Sequence, residues 1–334
     1  MRLFPPPLAI GDTEGFTEEK DLFDRADLGR GLANLIDAAD EPLVIAVDGQ
    51  WGSGKTVFLR MWAGELRKKG IAVVFFDAFE NDFAEDPFTA IAGELVTLAR
   101  AKQKLGTKAG KAFVKSAVGA SKVLLRSGLK LGVKAVTLGV VNADDLQAVC
   151  DDIADELSEI ADKHLGELIT KTEKAKTTIE AFREALRQLP TLLSDRGADQ
   201  RPRLVIIIDE LDRCKPLFAL SLLERVKHFY AVPDVHFVLG VHLGQLCSSV
   251  KVAYGPDIDA QVYLQKFIHL TMPLADIANR FGESPSKKFV DYLTGVLDFP
   301  PVLGEPLRLQ PRRLLGSRAS ESLVCEPLSA FLHN

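Results

Sequence analysis

Four short runs of the chain are apolar without a break: LVIAV at 43–47, IAVVFF at 71–76, LVIII at 204–208 and, with one histidine and one glycine, VHFVLGV at 235–241. None alternates apolar with polar, so each reads as a strand covered on both faces, as in a parallel sheet. After the first run Phe58, Leu59, Trp62 and Leu66 recur at helical spacing, and a second helical pattern starts at Asp86-Pro87 and continues to Leu98. Strands alternating with helices predict an α/β domain built on a parallel sheet.

A long region interrupts this rhythm. Three core elements of ordinary length fill only about a third of the chain between Lys55 and Asp209. The remainder, from about Ala101 to Pro190, is therefore expected to be an insertion. Its first part, up to Ala143, holds nine Lys or Arg and no Asp or Glu, in a chain whose net charge is −5. Wound as a helix, it places Lys111, Lys115, Lys122, Arg126, Lys130 and Lys134 within an arc of about 140°. Phe113, Ala117, Leu124, Leu125, Leu131, Ala135 and Leu138 take much of the other side. Gly119, Gly128 and Gly132 weaken this helix and Val123 intrudes on its basic face, so the pattern also fits two shorter helices.

Composition excludes several classes. Hydrophobic residues at 47% and charged residues at 26% over 334 residues describe an ordinary globular chain with one inserted core or two domains. Cys150, Cys214, Cys247 and Cys325 form no CxxC pair, against a zinc ribbon or a disulfide framework and in keeping with a reducing compartment. The opening MRLFPPP lacks the apolar core of a secretory leader, and no run approaches the roughly 20 apolar residues of a membrane span. The expected location is the cytoplasm.

The chemistry gathers at the ends of the apolar runs. After 43–47 come Gly49, Gln50, Trp51, Gly52, Ser53, Gly54, Lys55 and Thr56, followed by Val57 in the first helical turn; they satisfy G-x-x-x-x-G-K-[ST]. Glycines let the backbone wrap a phosphate chain with N–H groups inward, and the helix N-terminus adds its positive end. Lys55 is placed for the β- and γ-phosphates and Thr56 for Mg²⁺. The third run delivers Asp209 and Glu210, an acid for Mg²⁺ and a general base to polarise an attacking water. Arg213, one turn on, faces either the γ-phosphate or Asp212. His242 ends the fourth run, either as a sensor of the γ-phosphate or as a surface histidine. Arg312 and Arg313 either reach the nucleotide from a lid or decorate a solvated helix. The guanine-reading N-K-x-D is absent from the sequence, which favours ATP over GTP.

With these motifs in view, the chain resembles the KAP family of P-loop NTPases. The resemblance rests on LGRGLANLI, GQWGSGKTVFLRMW, FFDAFEND, IIIDELDRCKPLFALSLLERVKHFY, VHFVLGVHLGQL and AYGPDIDAQVYLQKFIHLTMPL, and it fades after Asp298. It implies ATP binding and hydrolysis on an α/β core of the additional-strand type, with the sensor strand between the two motif strands, and a small helical C-terminal part. Family members carry a long insertion between the nucleotide motifs, often membrane-associated, and some exclude phages. Two positions depart from the family pattern: Glu210 stands where Asp is usual, and His242 where the sensor strand usually ends in Asp. The expected organisation is a first core half at 1–100, the helical insertion at 101–195, a second core half at 196–273 and a shortened helical lid at 274–334.

Three readings of the basic block follow. An anionic membrane surface attracts about 1 kcal/mol per basic residue, which would place segment 108–134 peripherally on the inner face of the membrane. Alternatively the block folds against the acidic stretch Asp144, Asp145, Asp151, Asp152, Asp155, Glu156, Glu159 and Asp162. Nucleic acid ranks last, since only Phe113 interleaves the charges. The family habit tips the balance to the membrane. The function expected is an ATP-driven switch with an unidentified protein partner or a second copy of itself; the alternative is a nucleotide-gated scaffold with negligible hydrolysis.

Overall fold

The computed structural model describes residues 9–84, 87–126, 164–229 and 231–274. The chain divides into two units, one of residues 1–9, 18–24 and 276–334, the other of residues 10–17 and 25–275. Of the first unit only Ala9 and residues 18–24 are described, and Arg312 and Arg313 lie outside the described residues. The sheet and all of its helices belong to the second unit.

Its centre is a sheet of five parallel strands: β1 (Val44–Asp48), β2 (Ala72–Asp77), β3 (Leu204–Asp209), β4 (Val235–Val241) and β5 (Leu270–Pro273), in the order β2-β3-β4-β1-β5. The strand β4 lies between β1 and β3, which is the additional-strand arrangement. Register brings the carboxyl ends level: Asp77 pairs with Asp209, Asp209 with Gly240, and Val241 with Asp48. Gly240 is needed there, because a Cβ would stand 2.5 Å from Leu59 Cδ1 and nearer still to the Asp209 carboxylate.

Successive side chains of a strand point to opposite faces, and here both faces are covered. Val205 and Ile207 of β3 join Leu32, Ile36, Phe58 and Trp62 of α1 (Ala26–Ala38) and α2 (Lys55–Lys68). Leu204, Ile206 and Ile208 face the other core, which holds α3 (Pro87–Ala101), α6 (Pro216–Val226) and α7 (Leu243–Tyr254). The unbroken apolar runs follow from this double burial, worth about 1.5–3 kcal/mol per fully buried aliphatic side chain. A short helix α8 (Ala260–Leu264), capped by the Asp259 carboxylate, leads into β5.

Two helices of the insertion rest on the second core: α4 (Lys108–Arg126) and α5 (His164–Leu193). Phe113 of α4 meets Phe182 of α5 at 5.7 Å between ring centres, and Phe182 meets Phe88 of α3 at 5.0 Å and Phe229 at 4.9 Å. Phe113 and Ala117 are buried while Lys111 and Lys115 are exposed, the two-faced pattern read from the sequence. Lys130, Lys134 and the acidic stretch 144–162 lie outside the described residues. Among the described residues no helix is long and apolar enough to cross a membrane.

Candidate nucleotide site

At the carboxyl end of β1 the chain turns back over the strand ends and enters α2. Gly52 and Gly54 take φ of +80° and +79°, the left-handed region that L side chains rarely adopt, so glycine is required at both. Gly49 N–H donates to the Val241 carbonyl at 3.1 Å and Ser53 N–H to the Gln50 carbonyl at 3.1 Å, closing the loop. Lys55, only 8% exposed, donates its ammonium to the carbonyls of Gly49 (2.6 Å) and Gln50 (3.1 Å). Burial lowers its pKa, against the pull of Asp212 and Asp209.

Asp209 is fully buried at the end of β3. Its Oδ1 accepts the Glu210 amide at 3.0 Å, while Oδ2 has no hydrogen-bond partner among the described residues. Loss of hydration pushes its pKa up to about 6, although the Thr56 hydroxyl and the Glu210 amide draw it down. Ser53 Oγ and Asp212 Oδ1 are likewise buried without a partner among the described residues. An unsatisfied buried polar atom costs about 1–3 kcal/mol. Three such atoms lie around this one loop, while others, such as Arg203 Nε, lie elsewhere. The donor set, an Asp209 carboxylate oxygen with the Thr56 hydroxyl bonded to that carboxylate and the buried Ser53 hydroxyl of the loop, suits a hydrated Mg²⁺ on a phosphate chain. Among the described residues no three His, Cys, Asp or Glu groups converge to hold a metal unaided.

Glu210 is held at φ +57°, a left-handed conformation costing a non-glycine residue about 1–3 kcal/mol. Its side chain is 17% exposed and ion-pairs with Arg213 at 3.0 Å. Burial raises its pKa and Arg213 opposes that shift. Arg213 thus pairs with Glu210, not with Asp212, which instead accepts the Trp51 indole N–H at 2.6 Å. His242, half-buried, meets the Trp51 ring edge-on at 6.2 Å. Burial pushes the Cys214 thiol pKa up to about 12.

The structure therefore gathers Gly49–Val57, Asp209, Glu210, Arg213 and His242 at one edge of the sheet. It adds four residues to which sequence reasoning gave no place in the site. Asp77 ends β2 level with Asp209; an acid directly after an apolar run was the available signal. Asp48 accepts the Leu243 amide at 2.8 Å. Asp212 and Arg25, which donates to the Ser53 carbonyl at 2.7 Å, brace the loop. Nothing in the spacing of Arg25 sets it apart.

Comparison with known proteins gives partial matches and one family. An uncharacterized protein of Methanocaldococcus jannaschii is 31% identical over 119 residues, covering 31% of this chain and 61% of its own length. Among solved structures, the Aeropyrum pernix ORC2 protein in ADPNP–ADP complexes is 14% identical, with 88% of this chain and 54% of that chain covered and a TM-score of 0.34. The bacterial conjugative coupling protein TrwBdeltaN70 is 15% identical, with 68% and 66% covered and a TM-score of 0.22. The chain spans less than two thirds of each of these three. The KAP family P-loop domain matches residues 27–285, most of the chain and all of the sheet, and the protein belongs to that family.

Proposed function

We propose that this nucleotide-binding P-loop protein takes Mg·ATP and hydrolyses it to ADP and phosphate. The observation that carries the reading is the group of orphaned buried atoms, Ser53 Oγ, Asp209 Oδ2 and Asp212 Oδ1, around a loop whose lysine has only backbone carbonyls to hold. In this reading Lys55 exchanges the Gly49 and Gln50 carbonyls for β- and γ-phosphate oxygens, and the loop amides from Gly49 to Val57 hold the rest of the chain. Thr56 and ionised Asp209 hold Mg²⁺, which neutralises phosphate charge when bound. Glu210 takes a proton from water as the water oxygen bonds to the γ-phosphorus, and the bond to the bridging oxygen breaks with ADP leaving. Burial raises its pKa, which strengthens it as a base once it parts from Arg213. Arg213 is then free to meet phosphate charge.

Hydrolysis drives a switch whose output runs through the insertion. The exposed Lys108, Lys111 and Lys115 support contact with an anionic membrane surface on the cytoplasmic side, through segment 108–134. A protein partner or a second copy receives the signal, with phage exclusion the pathway that family membership brings forward. The Glu210–Arg213 pair favours a second reading, a nucleotide-gated scaffold with negligible turnover.

The test is steady-state ATP turnover with and without anionic liposomes, beside Lys55→Ala and a variant with Lys122, Arg126, Lys130 and Lys134 changed to Gln. Turnover that liposomes raise, that Lys55→Ala abolishes and that the Gln variant uncouples from liposomes supports the membrane switch. Turnover indifferent to liposomes removes the membrane. ATP binding without turnover leaves the scaffold.

A further inference from the structure

The phosphate loop is gripped from outside at two points by the buried side chains of Asp212 and Arg25, to which the chemistry above gives no role in the reaction. On one flank of Gly52 the Trp51 indole donates to Asp212 Oδ2 at 2.6 Å; Asp212 is 4% exposed, on the turn between β3 and α6. On the other flank Arg25, 6% exposed, donates Nη1 to the Ser53 carbonyl at 2.7 Å. Neither contact is local, the partners being 161 and 28 residues apart. Between the two grips a Cβ on Gly52 would meet nothing within 4 Å, so the crest of the loop has no packing of its own to hold it.

We propose that Asp212 and Arg25 are positioning residues that staple the loop on either side of Gly52, keeping it in its phosphate-receiving shape before nucleotide arrives. The proposal rests on reading the loop as the nucleotide site. When phosphates draw the Lys55 ammonium away, the Gly49 and Gln50 carbonyls lose their partner, and an unstapled glycine-rich loop is free to rearrange. The staples prevent this in complementary ways. In a trans peptide C=O and N–H point in opposite directions, so Arg25, by holding the Ser53 carbonyl, aims the Gly54 N–H away from itself. Asp212 fixes the bulkiest side chain of the loop and is also the strongest attractive charge acting on Lys55. Ordering completed before binding is a cost that binding no longer bears, so loss of a staple weakens ground-state affinity more than it slows the chemical step.

The experiment uses the full chain and Mg·ATP. Asp212→Ala and Arg25→Met are expected to raise Kd and KM about tenfold while kcat stays within about threefold. Asp212→Asn, which keeps a carbonyl acceptor, and Arg25→Lys, which keeps the charge, should each restore part of the affinity. Trp51 emission, isolated as the difference between wild type and Trp51→Phe, should lose anisotropy in nucleotide-free Asp212→Ala. A residue of merely structural importance would lower the melting temperature and leave the KM of the folded fraction unchanged. Wild-type protein that turns over ATP, with KM unmoved in Asp212→Ala and Arg25→Met, overturns the staples alone. Wild-type protein that neither binds nor hydrolyses Mg·ATP overturns the site and the staples with it.

Discussion

The two ends of the sheet both bury charge, and they treat it in opposite ways. At the amino end, Arg203 is 1% exposed and donates to Asp234 at 2.9 Å and to the carbonyls of Asp37 at 3.1 Å and Ala39 at 2.7 Å. His236 lies beside it, accepting the Leu43 amide at 3.3 Å, and Arg196 and Arg201 complete the network on Asp37 and Asp234. Most of these polar atoms find partners within the chain, although Arg203 Nε has none among the described residues and Asp234 itself sits at φ +63°. At the carboxyl end, Asp209 Oδ2, Asp212 Oδ1 and Ser53 Oγ have no hydrogen-bond partner among the described residues, Lys55 donates to the Gly49 and Gln50 carbonyls, and Glu210 sits at φ +57°. Burial of charge does not separate structure from site. The two ends differ in how many of the partners come from within the chain.

Variants that each touch one end separate the two most strongly. Glu210→Gln should cut ATP turnover by about 10²–10⁴, the span of general-base catalysis, with Mg·ATP affinity and melting temperature nearly unchanged. Arg203→Met should do the reverse. It strands the Asp37 and Ala39 carbonyls and one side of Asp234, costing about 3–5 kcal/mol in denaturant unfolding, while turnover per folded molecule stays at the wild-type value. Equal loss of both properties in either variant would break the distinction.

Titration separates the ends further, because the two shifts carry opposite signs. The Asp209 pKa is raised to about 6 from 3.8, so between those values the folded state holds a proton that the unfolded state has lost. Stability from this group falls as pH rises through that window, by up to about 3 kcal/mol. The His236 pKa is lowered to about 4 from 6.5, chiefly by desolvation and then by Arg203, so there the unfolded chain binds the extra proton. Stability from this group falls as pH drops through 6.5 towards 4. Nucleotide-free Asp209→Asn should be more stable than wild type at pH 7, and the gain should shrink below pH 6. Mg²⁺ affinity in the wild type should weaken below about pH 6, where the proton competes for Asp209. Unfolding free energies of both proteins across pH 4–8 decide it.

Much of the carboxyl end was legible because its parts are consecutive in sequence. A loop and a helix start must follow each other directly for Gly49–Thr56 to wrap a phosphate, and an acid at a strand end is visible as Asp209 after LVIII. The braces were not legible. Arg25 and Asp212 reach the loop across the fold, and no periodicity or spacing marks a residue whose role is one long-range hydrogen bond. The left-handed turn at Glu210, and its pairing with Arg213, depend on how β3 ends beside β2, which pattern alone does not encode. The strand β5 was also missed: LTMP is four residues long, pairs only with β1 at the edge, and leaves Leu270 43% exposed, so it lacks the apolar run that marks a doubly covered strand.

Exposed charge is a third case, and it sets the lower limit of the scale. Lys111 and Lys115 stand in solvent on the side of α4 opposite Phe113, whose ring is buried against Phe182. Changing both lysines to Gln should move unfolding free energy by no more than about 0.5 kcal/mol, as surface substitutions do. Phe113→Ala on the same helix should cost about 3–5 kcal/mol through the cavity it leaves. If the lysines serve an anionic surface, the same Gln pair should still weaken binding to phosphatidylserine vesicles by about 1 kcal/mol per charge removed, and added salt should shrink that difference. Stability held with vesicle affinity lost would put the basic face in the same class as the carboxyl end of the sheet, charge whose partner lies outside the chain. Stability lost along with the lysines would mean that the insertion uses them internally, as the amino end uses Arg203.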